Sequence, residues 1–189
     1  STMDPQAPDW RSLADGAIRA ASFAEPGKSV QFGRFSCRGT QVFWESEHSL
    51  GLVNLKPIVP GHVLIISKRV TPRIGELSEV EMQDLFLSAR TVAAGIGKVF
   101  ESPSFNLAVQ DGAEAGQTVP HVHVHIIPRK AQDFERNDEV YEKLDEFDAR
   151  PPRLKVPADS ERVARSEEEM AEEGARLRAA FVAIRDQPA

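Results

Sequence analysis

The sequence predicts an α+β fold, a mostly antiparallel sheet with one main helix packed on it and a further helix at the C-terminus. Three observations carry this. Strand-length apolar runs separated by turn residues fill Ser29 to Ser67. Behind a capping box at Ser78, apolar residues recur every three or four positions. Between residues 121 and 126, histidine alternates with aliphatic residues, the period of a strand.

Residues 1–28 are polar, framed by Pro5, Pro8 and Pro26 around a short helix expected from Ser12 to Phe23, and are read as an N-terminal extension. The core is expected over residues 29–144. In it Gln41-Val42-Phe43-Trp44 and Leu50-Gly51-Leu52-Val53-Asn54 form neighbouring strands. The Pro57–Gly61 turn leads into His62-Val63-Leu64-Ile65-Ile66, apolar on both alternating faces like a central, covered strand. The main helix runs from Ser78 to about Phe100, opened by Ser78-Glu79-Val80-Glu81. Its core-facing stripe is Met82, Leu85, Phe86, Ala89, Val92, Ala93, Ile96 and Val99, and Pro103 blocks its continuation. Phe105 to Gln110 is a strand, Asp111 to Thr118 a loop, and His121 to Ile127 a strand that Pro128 ends. Residues 145–165 are rich in proline and charge and read as a flexible connector. Residues 166–189 hold the closing helix, with a second capping box at Ser166–Glu169 and a stripe of Met170, Leu177, Phe181 and Ile184.

The 189 residues fit one domain with tails, 41% hydrophobic and 28% charged. A net charge of −6 argues against a nucleic-acid footprint and against an anionic membrane surface. It leaves room for a small anionic ligand, which answers to local donors. One cysteine, Cys37, admits neither an intrachain disulfide nor a cysteine metal cluster, and points to a reducing compartment, cytoplasmic or nuclear. Apolar runs of strand length predict no spanning helix, and the early Asp4, Asp9 and Asp15 fit neither a secretory nor a transit leader.

The chemistry concentrates in His121-Val122-His123-Val124-His125-Ile126-Ile127. On one strand the three histidines face one way while Val122, Val124 and Ile126 face a core. One use is metal binding. At about 3.3 Å per residue His121 and His125 stand roughly 13 Å apart, so one ion would take two neighbours and need His62 or a carboxylate besides. Another is nucleophilic catalysis, since an imidazole with a pKa of about 6.5 offers a neutral nitrogen near pH 7. The loop before it, from Gln110 to Thr118, supplies two amides, a hydroxyl and backbone N–H groups, the donors a phosphoryl group calls for. A third reading gives the histidines no role.

The run His121–Ile127 resembles the signature of the histidine-triad superfamily of nucleotidyl hydrolases and transferases. Four further stretches, Leu52–Leu64, Gln110–Val119, Pro128–Asp138 and Arg165–Met170, make the chain resemble the fragile-histidine-triad branch, the dinucleoside triphosphate hydrolases. The resemblance implies a five-stranded histidine-triad fold whose sheet continues across a homodimer. It implies cleavage of diadenosine triphosphate to AMP and ADP, with His123 as the nucleophile that forms a transient nucleotidyl-histidine. By the same resemblance Gln110, Gln117 and His125 contact phosphates and help the leaving group. Asn54 contacts the nucleoside, and Gly116, Gln117, Thr118 and Val119 form a phosphate-binding loop. Phe32 and Gly33 line the base pocket, and His121 and His62 hold His123 in its tautomer and orientation. No obligate metal or organic cofactor is implied; magnesium or manganese can accompany the polyphosphate.

Two alternatives stay open: a nucleoside phosphoramidase of the sister branch, and a signalling module whose nucleotide-loaded state a partner reads. Pro128-Arg129 stands where the sister branch carries a glycine pair, which favours the hydrolase.

Overall fold

The computed structural model describes residues 28–145 and 164–186; the expected Ser12–Phe23 helix and nearly all of the connector lie outside the described residues. Val30–Phe32 (β1) and Phe35–Cys37 (β2) form a hairpin of their own. Val42–Glu45 (β3), Ser49–Val53 (β4), Val63–Ser67 (β5), Ser104–Ala108 (β6) and His123–Arg129 (β7) form one sheet in the order β3-β4-β5-β7-β6, with every neighbouring pair antiparallel. The helices are Glu79–Val99 (α1), Glu139–Asp145 (α2) and Glu167–Arg185 (α3).

The middle strand, β5, is buried along its whole length, and its alternation sorts the molecule into layers. Val63 and Ile65 join Val122, Val124 and Ile126 in the main core, beneath Leu85, Val92 and Ile96 of α1 and Leu177 and Phe181 of α3. Leu64 and Ile66 face the other way, with Val42, Leu50 and Leu52, under the hairpin's Val30, Phe32 and Cys37. The register pairs Leu64 with His125 and Ile66 with His123. Both histidines therefore lie on the hairpin side of the sheet.

Local signals set both long helices. In α1 Ser78 Oγ accepts from Glu81 N–H while the Glu81 carboxylate accepts from Ser78 N–H; Ser166 and Glu169 repeat this in α3. Helix α3 buries Met170, Leu177, Phe181 and Ile184, the stripe its spacing predicts. The α1 stripe holds at Leu85, Ala89, Val92, Ala93 and Ile96 but fails at Phe86, which is 44% exposed. Burial instead takes in Ser88, Thr91, Ala94, Gly95 and Gly97, because α3 packs beside the second half of α1 and rotates the covered arc. At Gly95 a Cβ would lie 2.3 Å from the Phe181 ring, so this close approach admits no side chain.

Several element boundaries differ from expectation; β6 ends at Ala108, so Gln110 lies beyond the strand that was expected to carry it. Gln41 sits in a 3-10 turn before β3 and does not pair as strand. Strand β7 starts at His123; His121 and Val122 are tied through Val122 N–H to the Thr71 carbonyl, because β5 ends at Ser67. The strand also runs through Pro128 to Arg129: past Ile126 it no longer pairs with β5, and an edge-like stretch tolerates a residue without an N–H. Helix α2 is a short element the periodicity did not raise; it buries Val140 and Leu144, one turn apart, against Ile127.

Candidate active site

His121, His123 and His125 gather with His62, just before β5, and with Phe32 of β1. All four histidines are 0–3% exposed. The His123 and His125 rings stand edge to face with centroids 5.0 Å apart, and His62 lies 5.2 Å from His125. The Phe32 ring packs against His123 at 5.2 Å and His121 at 5.6 Å, closing the apolar side.

Hydrogen bonds assign the tautomers. Gly33 N–H donates to His121 Nδ1 at 3.0 Å, so the proton of that ring is on Nε2, which faces the Ser67 carbonyl at 2.7 Å. Gly33 has φ +56°, a hairpin conformation that glycine adopts without strain. His123 Nδ1 lies 2.7 Å from the His121 carbonyl and must donate to it, which leaves the lone pair on Nε2. Ile58 N–H donates to His62 Nδ1 at 3.1 Å; His62 Nε2–H then donates to His125 Nδ1 at 3.0 Å, and His125 carries its proton on Nε2. The site thus holds an imidazole acceptor, His123 Nε2, beside an imidazole donor, His125 Nε2–H.

Burial keeps the three triad rings neutral. Desolvation lowers the pKa of His121 and of His123, and with the neighbouring His123 and His62 it drives His125 well below the ordinary histidine value. With its Nδ1 filled by Gly33 N–H and its Nε2 spent on Ser67, His121 has no nitrogen to offer a metal.

The supporting histidines act differently from expectation. His121 orients His123 through its backbone carbonyl, not its ring, and its ring ties the β1–β2 turn to the end of β5. His62 braces His125, not His123. Asn54 Oδ1 accepts from Lys56 N–H at 3.1 Å, and its Nδ2 is 3.1 Å from His62 Nε2.

Beside the histidines lies a cleft of about 470 Å³, walled by Phe32, Leu52, Leu64 and Val119 and reached by Asn54 and Gln41. Arg165, assigned by sequence to the connector, lines it too: its guanidinium bonds the Asn54 carbonyl and Glu173, and its N–H donates to the Leu55 carbonyl. Sequence reading gave no role to Gln41 or Arg165. No local signal marks either, since Arg165 and Asn54 are 111 residues apart.

The loop after β6 is pinned by Asp111, whose carboxylate accepts from Ile74 N–H at 2.9 Å and pairs with Arg73; these contacts hold its pKa below the ordinary value. Gln110 is 8% exposed. Gln117 is turned inward: its Oε1 accepts from Gly112 N–H at 2.9 Å and its Nε2 donates to the Pro72 carbonyl. In this conformation Gln117 braces the loop. Gly116 follows a 3-10 turn in a left-handed conformation, Thr118 is exposed and Val119 is buried. At the far end of β7, Arg129 binds Asp133, Asn106 and Asn137 and fixes the turn toward α2.

The sequence model of the HIT domain matches residues 38–132, which contain all three triad histidines. This chain is a histidine-triad protein. Among its histidine-triad relatives is the asymmetrical bis(5'-nucleosyl)-tetraphosphatase of Schizosaccharomyces pombe, 44% identical over 174 residues, covering 82% of this chain and 95% of that protein. The bifunctional bis(5'-adenosyl)-triphosphatase/adenylylsulfatase of Arabidopsis thaliana is 43% identical over 153 residues, covering 81% of this chain and 84% of its own. A Plasmodium falciparum diadenosine triphosphate hydrolase, solved with cyclomarin A, superposes with a TM-score of 0.70 at 26% identity, covering 94% of this chain and 99% of that one. The histidine-triad fold, a five-stranded antiparallel sheet with helices, is thus common to the chain and its relatives.

Proposed function

We propose that this histidine-triad protein hydrolyses dinucleoside polyphosphates, cutting diadenosine triphosphate to AMP and ADP. One observation carries the reading: His123 Nδ1 is committed to the His121 carbonyl at 2.7 Å, so the neutral lone pair sits on Nε2, beside the His125 Nε2–H donor. His123 Nε2 attacks the α-phosphorus, and an N–P bond forms as the P–O bond to ADP breaks. The ring keeps its Nδ1 proton, so the positive charge it gains rests against the His121 carbonyl. His125 donates to the departing oxygen, and the neutral Gln110 amide to a non-bridging phosphate oxygen. Water then attacks phosphorus, the P–N bond breaks, AMP leaves and His123 is restored. Asn54, Phe32 and Gly116 to Val119 hold the nucleotide, and Gln117 joins them by leaving its loop contacts. No step requires a resident metal; magnesium or manganese would arrive with the polyphosphate.

The relatives' names divide between tri- and tetraphosphatase. Both dinucleotides should therefore be incubated with the protein, with magnesium and separately with EDTA, and the products resolved by anion exchange. Diadenosine triphosphate is expected to give AMP and ADP, with part of the activity surviving EDTA. Brisk hydrolysis of an adenosine phosphoramidate without cleavage of either dinucleotide would overturn the reading in favour of the sister branch.

The working unit we infer is a homodimer joined through β6. Among the described residues that strand is an unpaired edge of the sheet and carries Leu107 at 49% exposure, whereas Arg178 occupies the Thr40 and Val42 carbonyls beside the opposite edge strand, β3. Leu107→Asp is expected to shift sedimentation from dimer to monomer; an unchanged mass would sink this assembly. We place the protein in the cytoplasm, with the nucleus as the other reducing compartment, on the strength of its single thiol. Recovery in an oxidising organelle on fractionation would refute that placement. Neither a nucleic acid nor a membrane surface is expected as a partner of a chain with net charge −6; measurable binding to duplex DNA or to anionic vesicles at physiological salt would overturn this.

A further inference from the structure

Within the cleft, the buried polar side chains differ in how far the fold has used them. Asn54 Oδ1 is held by Lys56 N–H, and Arg165 by Glu173 and the Asn54 carbonyl. Gln41 is not. It is 8% exposed and lines the cleft, yet its side-chain amide makes no hydrogen bond among the described residues. Its backbone N–H is spent on the Arg38 carbonyl, and Arg178 takes the carbonyls on either side of it, at Thr40 and Val42, so the turn is pinned. A carboxamide that lines a cleft and is spent on nothing in the fold is open to a ligand that enters it.

The surroundings supply one. Phe32, Leu52, Leu64 and Val119 give apolar surface on which a flat heteroaromatic ring can rest, and Cys37, its thiol kept protonated by burial, extends that wall. A ring so held turns its polar edge toward whatever donor and acceptor the wall contains. The carboxamide offers one of each, side by side. Adenine presents the complement, its 6-amino donor next to a ring-nitrogen acceptor.

We propose that Gln41 is a specificity-determining residue that reads the edge of the nucleobase through its side-chain amide, pairing with the 6-amino group and adjacent ring nitrogen of adenine. This rests on the dinucleotide hydrolase reading. It adds a base contact contributed by the turn before β3, an element apart from the histidine strand, and it predicts selectivity without any change in the chemistry.

The test compares diadenosine triphosphate with the bis(purine riboside) triphosphate, which lacks both 6-amino groups and is otherwise the same. The natural protein is expected to favour the adenosine substrate by about tenfold in kcat/KM, mostly through KM. Gln41→Leu, close in volume and suited to an apolar wall, should bring that ratio near unity by losing on the adenosine substrate alone. Equal rates on the two substrates with the natural protein would overturn the proposal while leaving the hydrolase reading intact. So would a ratio that Gln41→Leu does not change. Failure to cleave either dinucleotide would instead fall on the hydrolase reading and take this proposal with it. The natural protein's own ratio needs no variant, so the proposal stays testable even where Gln41→Leu folds poorly.

Discussion

Replacing His123 with asparagine is expected to lower kcat on diadenosine triphosphate by about 10⁴-fold or more, while substrate affinity changes by less than about tenfold. Asparagine can still donate to the His121 carbonyl, now held by His123 Nδ1 at 2.7 Å, but it brings no nucleophilic nitrogen to the position of Nε2. The cleft, Asn54 and the 110–119 loop remain, so binding survives. Single-turnover rates and calorimetric titration of the uncleaved substrate separate the two quantities. A variant within tenfold of the natural rate would rule out covalent catalysis at this histidine.

The second large effect is on stability against pH. Burial depresses the native pKa values of His121, His123 and His125, whereas the unfolded chain titrates near 6.5. Below pH 6.5 the unfolded state therefore binds more protons, and stability falls as pH falls; above 6.5 both states are neutral and the full stability is present. Each ring contributes at most about 1.4 kcal/mol per pH unit in this window, so three should remove between about 1 and 4 kcal/mol by pH 5.5. Urea unfolding followed by far-ultraviolet circular dichroism at pH 7.5, 6.5 and 5.5 measures it. A flat free energy across those values would show that the rings are not held neutral. The carboxylates act lower: Glu81, held at about 2 chiefly by its hydrogen bond with Arg69, titrates outside this window.

The two long helices and the covered character of β5 were legible because their signals are local. A capping box and a three- and four-residue stripe need only neighbours in the chain, and so does the alternation that sends Val124 and Ile126 into one layer and His123 and His125 into the other. Phe86 was misassigned for the converse reason: which arc of α1 is covered depends on where α3 docks, and α3 lies about seventy residues on, beyond any local window. The two boundary errors at β7 share that cause. Where a strand starts and whether it accepts Pro128 depends on how far β5 extends beside it.

By itself the sequence determined the histidine face, the nucleophile candidate at His123 and the phosphate-directed character of the loop before it, since a period of two and a run of donors are properties of adjacent residues. Only the tertiary structure decided which proton His121 and His125 carry, through contacts at separations of 88 residues for His121 with Gly33, 54 for His121 with Ser67 and 63 for His62 with His125, whereas His123 and His62 take theirs from the His121 carbonyl and the Ile58 N–H, two and four residues away. It also decided that Gln117 braces its loop, that Arg165 belongs to the cleft and that Gln41 faces it with its amide unspent. A hydrogen bond forms between atoms that folding brings together, and sequence spacing carries no record of that when dozens of residues intervene.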